Sequence, residues 1–131
     1  MVDLAMNTNQ SLITLKEIAK RQEISEKYLE QIVTQLNRAG LVKSVRGAQG
    51  GYSLSRASEE ITVGDVLRVV EGPFTLVDCT DDDNICNRSS CCPTSYVWKK
   101  MKTAIEDVVD SISLSDLANM TEEQAKNNYM I

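Results

Sequence analysis

The chain changes period at Gly40. Before it, Leu29, Ile32, Val33 and Leu36 recur at i, i+3, i+4 and i+7, the apolar face of a helix. After it, Leu41, Val42 and Val45 on one side and Tyr52 and Leu54 on the other flank the tip Arg46-Gly47-Ala48-Gln49-Gly50-Gly51, which predicts a β-hairpin. A glycine stop followed at once by a hairpin rules out a plain helical bundle. With 131 residues, the chain has the size of one domain plus an extension, and the hairpin must share a core with the helices around it.

Upstream, Thr14 and Glu17 have the spacing of a capping box, and Leu15, Ile18 and Ala19 share a face, so a short helix is predicted from about 15 to 22. Ser25 can cap the next helix, and the two meet across a tight turn at Glu23-Ile24. Packing their apolar faces leaves Glu26, Lys27, Glu30, Gln31, Thr34 and Arg38 outside, groups able to contact base edges and phosphates. Glycines at the hairpin tip permit close backbone approach, so Arg46 beside Gly47 can be held against a narrow groove. Helix, turn, helix and glycine-rich hairpin is the order of a winged helix-turn-helix. Charge agrees with a nucleic-acid face at this end: residues 1–56 carry eight Lys/Arg against five Asp/Glu, whereas residues 57–131 carry six against fourteen, within a net charge of -5.

Thr62 and Asp65 form a second capping box before the stripe Val63, Val66, Leu67 and Val70, a helix ended by Gly72-Pro73 and expected to pack under the wing. From Phe74 to Pro93 periodicity is lost, so a loop is expected. From Thr94 a long helix carries Val97, Met101, Ile105, Val108 and Ile112 as one apolar stripe, best buried against a twofold partner. The expected fold is therefore mainly α with a small β-hairpin wing. Its parts are a winged helix-turn-helix over 1–73, a cysteine-rich loop over 74–93, a long dimerisation helix over 94–120 in which Ser113 to Met120 adds one short capped turn, and a flexible tail over 121–131.

All four cysteines, Cys79, Cys86, Cys91 and Cys92, fall in the loop, and there is no histidine. No apolar run approaches the roughly 20 residues that span a bilayer and no signal-peptide layout opens the chain, so a cytoplasmic location is expected, where thiols stay reduced and clustered cysteines ligate metal or sense redox state. The spacing lacks the paired knuckles of structural zinc sites. Thiolates spread along a loop suit an iron–sulfur cluster, with one of the vicinal Cys91 and Cys92 left as a non-ligand or alternate ligand. Without histidine, general acid–base work would fall to carboxylates or lysines. No convergent set of them is visible, so neither an enzyme nor a small-molecule substrate is expected.

The run Tyr28-Leu29-Glu30-Gln31, the segment Gly40-Leu41-Val42-Lys43-Ser44-Val45-Arg46-Gly47 with Gly50-Gly51-Tyr52, and the cysteine loop followed by Val97-Trp98 together resemble the IscR-type iron–sulfur cluster regulators, over nearly the whole chain. The resemblance implies a homodimeric winged-helix transcription regulator, a repressor type, that binds double-stranded operator DNA and carries an iron–sulfur cluster, 2Fe-2S in preference to 4Fe-4S. It implies that Ser25, Lys27, Tyr28, Glu30 and Gln31 read or position on DNA and that Arg46, with Gly47, enters the minor groove. It implies Cys79, Cys86 and Cys92 as cluster ligands, since Cys92-Pro93-Thr94-Ser95 aligns with the family's third cysteine. Ser95 stands where the 2Fe-2S type has histidine, so the fourth ligand is open between Ser95, Cys91 and an acidic residue of a partner subunit. Met1 to Ala5 resembles the middle of the family's first helix rather than its start. The alternative is a cluster-free thiol redox switch, or a regulator of cysteine metabolism acting through a partner protein.

Overall fold

The computed structural model describes residues 1–7, 12–74 and 93–129. The four cysteines, and with them most of the expected loop, lie outside the described residues. In order, the elements are α1 (Val2–Met6), α2 (Leu15–Gln22), α3 (Glu26–Arg38), β1 (Val42–Val45), β2 (Gly51–Leu54), a 3-10 turn at Ser58–Glu60, α4 (Val63–Val70), α5 (Pro93–Ser111) and α6 (Leu114–Tyr129). This is a mainly helical fold with a two-stranded antiparallel hairpin, as the sequence implies.

The helix boundaries follow from local chemistry. Thr14 Oγ1 accepts from the Glu17 amide (3.2 Å) while the Glu17 carboxylate accepts from the Thr14 amide (3.0 Å), closing the first capping box. At its other end α2 stops because Glu23 adopts a left-handed conformation with φ 54°. Non-glycine residues rarely do so, and here it turns the chain within two residues into the Ser25 cap of α3. Leu29, Val33 and Leu36 of α3 are buried in a core with Ile18 and Ala19 of α2, Leu41, Val42, Ile61, and Leu114 and Ala118 of α6. Each buried valine, leucine or isoleucine among them contributes on the order of 1.5–3 kcal/mol of transfer free energy.

Three long-range features depart from the sequence reading. First, the hairpin is extended by Ile13, which exchanges backbone hydrogen bonds with Tyr52 at 3.0 and 2.7 Å. Gly51, expected at the tip, begins β2 instead, and it must be glycine because a Cβ there would lie 2.8 Å from the Ile13 carbonyl oxygen. Secondly, α4 packs mainly on α3 and α5 rather than under the wing, its half-buried valines facing the helices. Thirdly, the segment from Ser113, expected to add one short capped turn, is a full helix of its own. Helix α5 ends at Ser111 because the Ile112 carbonyl accepts from the Val63 amide (2.8 Å) and the Leu114 amide donates to the Ile61 carbonyl (2.9 Å), so this backbone is committed to another segment. Ser113 then caps α6, which continues to Tyr129 through residues expected to be tail.

Helix α1 is tied down by charge. Asp3, only 8% exposed, accepts from Arg21 at 2.6 and 3.0 Å and from Gln22 at 3.0 Å. Burial opposes ionisation of Asp3, but the hydrogen bonds from Arg21 and Gln22 and the Arg21 charge outweigh it and hold the carboxyl below its ordinary range.

Candidate nucleic-acid interface

Helix α3 presents two faces. Leu29, Val33 and Leu36 bind it to the core, and Ser25, Glu26, Lys27, Glu30, Gln31, Thr34 and Arg38 are exposed. Tyr28, 58% exposed, adds an aromatic group to the same first turns. Ser25, Lys27, Tyr28, Glu30 and Gln31 are thus brought together at the N-terminal end of one helix. That end is the part of a recognition helix that meets base edges in a major groove. Two of the hydroxyls are already engaged: Ser25 Oγ accepts from the Tyr28 amide (3.3 Å), and Thr34 Oγ1 donates to the Glu30 carbonyl (2.7 Å).

The wing stands beside this helix. Its register pairs Val42 with Leu54, Lys43 with Ser53, Ser44 with Tyr52 and Val45 with Gly51, placing Arg46 as the first residue of the tip. Arg46 is exposed; Gly47 takes φ 119°, closed to side chains, and the Gly50 amide donates to the Gly47 carbonyl (3.0 Å) to seal the loop. Asn37 near the end of α3 donates to Ser44 Oγ (3.4 Å), and Ser55 Oγ donates to the Gly40 carbonyl, so helix and hairpin are fastened at both ends of the connection. An open cleft lined by Thr14, Asn37, Ser44, Arg46, Gly47 and Tyr52 lies between them. A polar cleft rimmed by an arginine, next to an exposed helical face, is chemically suited to a nucleic-acid backbone.

Of the expected cluster residues, Ser95 alone is described. It is 2% exposed in the first turn of α5, and its Oγ has no hydrogen-bond partner among the described residues. Among the described residues, no group of three or more His, Cys, Asp or Glu could hold a metal, and no helix is long and apolar enough to cross a membrane.

Residues 1–120 match the Rrf2 family, described as iron-dependent transcriptional regulators. The chain belongs to the Rrf2 family. It is 41% identical to the HTH-type transcriptional regulator CymR of Bacillus subtilis, over 93% of this chain and 83% of CymR. It is 35% identical to the HTH-type transcriptional regulator IscR of Erwinia tasmaniensis, over 93% of this chain and 73% of that one. Among solved structures, T. potens IscR shares 46% identity with a TM-score of 0.76, covering 94% of this chain and 80% of its own. The winged-helix fold and a role as a transcriptional regulator follow from this membership.

Within the Rrf2 frame, sequence reasoning missed Ile13 and Asn37. Ile13 buttresses the wing from outside the hairpin, and two apolar residues ahead of a cap, Leu12 and Ile13, are too short a run to signal a strand. Asn37 carried one faint signal, its place on the polar side of α3 one residue before the helix ends at Arg38.

Proposed function

We propose that the chain is a homodimeric, sequence-specific DNA-binding transcription regulator whose operator affinity is set by an iron–sulfur cluster. Support for DNA binding is that α3 exposes its first turns while the wing carrying Arg46 is fastened to the C-terminal end of the same helix through Asn37 and Ser44, the α3 face addressing base edges and Arg46 the adjacent groove. Support for the homodimer is helix α5, on which Val97, Met101 and Val108 stay 49%, 44% and 57% exposed along one stripe.

The donor set fits a cluster. Cys79, Cys86 and Cys92 supply three thiolates, and the observation that carries this reading is the orphaned hydroxyl of Ser95, buried three residues beyond Cys92. Buried polar atoms without partners are rare, and one beside a ligand segment marks either a ligand or a group that bonds to one. When bound, a cluster supplies a centre whose presence and oxidation state respond to iron, oxidants or nitric oxide. The chain's part is to join the cysteine segment, through Pro93 at the start of α5, to the helix that carries the dimer stripe. Two arrangements of the half-sites then differ in stability according to the state of the cysteines.

Similarity to CymR favours a second reading. A solved structure described as that of CymR, the global cysteine regulator of B. subtilis, is 40% identical to this chain with a TM-score of 0.73. On that reading the thiols act without a cluster, or a partner protein carries the signal.

Anaerobic purification with iron and sulfide assays decides between the two. A brown protein with iron and acid-labile sulfide, its absorbance lost in Cys79→Ala, Cys86→Ala and Cys92→Ala and altered in Ser95→Ala, supports the cluster. A protein that stays colourless after reconstitution yet binds its operator supports the second reading and rejects the first.

A further inference from the structure

We propose that Arg68, Asp110 and Gly64 form a mount that sets the angle at which α5 leaves the winged domain, and through it the spacing of the two recognition helices on DNA. This rests on the reading of α5 as the dimer helix. The C-terminal end of α5 is pinned by the backbone bonds of Ile112 and Leu114 to Val63 and Ile61. A single point of attachment fixes a position and leaves the direction free. Direction is supplied within the last turn of α5 itself. Arg68 of α4 holds the Asp110 carboxylate with both guanidinium nitrogens, at 2.6 and 2.9 Å, and Glu106, a further turn along, lies 3.8 Å away. A forked pair of this kind constrains orientation as well as distance.

Two further observations mark the mount as built. Gly64 is buried where α4 meets α5, and a Cβ there would collide with the Asp110 carboxylate and lie 2.7 Å from Arg68 Nη1. The helix surface is thus cut away to seat the pair. On its other side the Arg68 guanidinium lies over the Phe74 ring, 5.1 Å from its centre, so Arg68 touches the residue that leads into the cysteine-bearing segment as well as α5. Arg68 and Asp110 are 37% and 44% exposed, and such pairs add little to global stability, so what this pair can supply is orientation. Leverage makes it consequential: 19 residues of α5 extend roughly 28 Å at 1.5 Å per residue, so a tilt of about 10° moves the far end by about 5 Å.

The test uses the full chain and operators selected by the wild type from random duplex DNA. Gly64→Ala blocks the seat sterically while favouring helix, Arg68→Lys keeps the charge and loses the fork, and the swap R68D/D110R rebuilds an ion pair. Gly64→Ala and Arg68→Lys are expected to melt near the wild-type temperature and to bind an isolated half-site unchanged. They should lose about tenfold on the bipartite operator or select a different half-site spacing, with partial recovery in the swap. Wild-type affinity and spacing in both single variants would overturn the mount, as would equal losses on half-site and full operator. A wild-type chain that selects no DNA instead overturns the regulator reading itself.

Discussion

Thr62 and Ser113 face each other across an antiparallel backbone bridge, and each is also the cap of a helix. Thr62 Oγ1 accepts from the Asp65 amide at 3.0 Å to start α4, and Ser113 Oγ accepts from the Asp116 amide at 3.1 Å to start α6. Thr62→Ala and Ser113→Ala should each cost about 1 kcal/mol in urea unfolding. Because both caps hang on one bridge, the double variant should cost less than the sum by roughly 0.5 kcal/mol or more. Strict additivity would show that the bridge survives loss of either cap.

Asp3 predicts an acid-sensitive contribution. Its carboxyl is held below the ordinary range in the folded chain, so its stabilisation is complete above the unfolded value and is lost as pH falls through the folded one. Asp3→Asn should lose about 1–3 kcal/mol at pH 7. The gap to wild type should begin to narrow as pH falls below about 4, the unfolded carboxyl's value, and close only once pH passes the lower folded value. Unfolding curves across pH 2.5–7 test this; a gap independent of pH would assign the loss to shape rather than charge.

Gly51 tests the buttress of the wing. A methyl group there would meet the Ile13 backbone at 2.8–3.0 Å, and backbone cannot swing aside. Gly51→Ala should cost about 1–3 kcal/mol by thermal melting. It should also speed hydrogen exchange at the Ile13 and Tyr52 amides selectively.

For Arg46, the expected outcome is on DNA rather than on stability, since its side chain is exposed at the tip. Arg46→Ala should weaken operator binding by roughly 1–3 kcal/mol and reduce the salt slope by about one, with melting unchanged. Gel shifts showing wild-type affinity would remove Arg46 from the interface.

Legibility tracked the range of the interaction. The capping boxes at Thr14 and Thr62, the cap at Ser25 and the apolar stripe of α3 involve residues three to four apart, and each stands in the structure where the spacing put it. The exposed face of α3 and the position of Arg46 followed from the same periodicities. By contrast, Glu23 at positive φ had no glycine to announce it, and the cap at Ser113 announced only a short turn where a helix runs on to Tyr129.

The sequence by itself determined the order helix, turn, helix, wing, and the set of side chains left to face a partner, because periodicity and capping act within one turn of helix or one hairpin. Tertiary structure alone decided that Ile13 joins the wing and that the turn capped by Ser113 runs on as a helix to Tyr129. It also decided that Arg68 grips Asp110 across a glycine seat. These depend on backbone donors and acceptors meeting across tens of residues, and on the space left between helices once the core has packed.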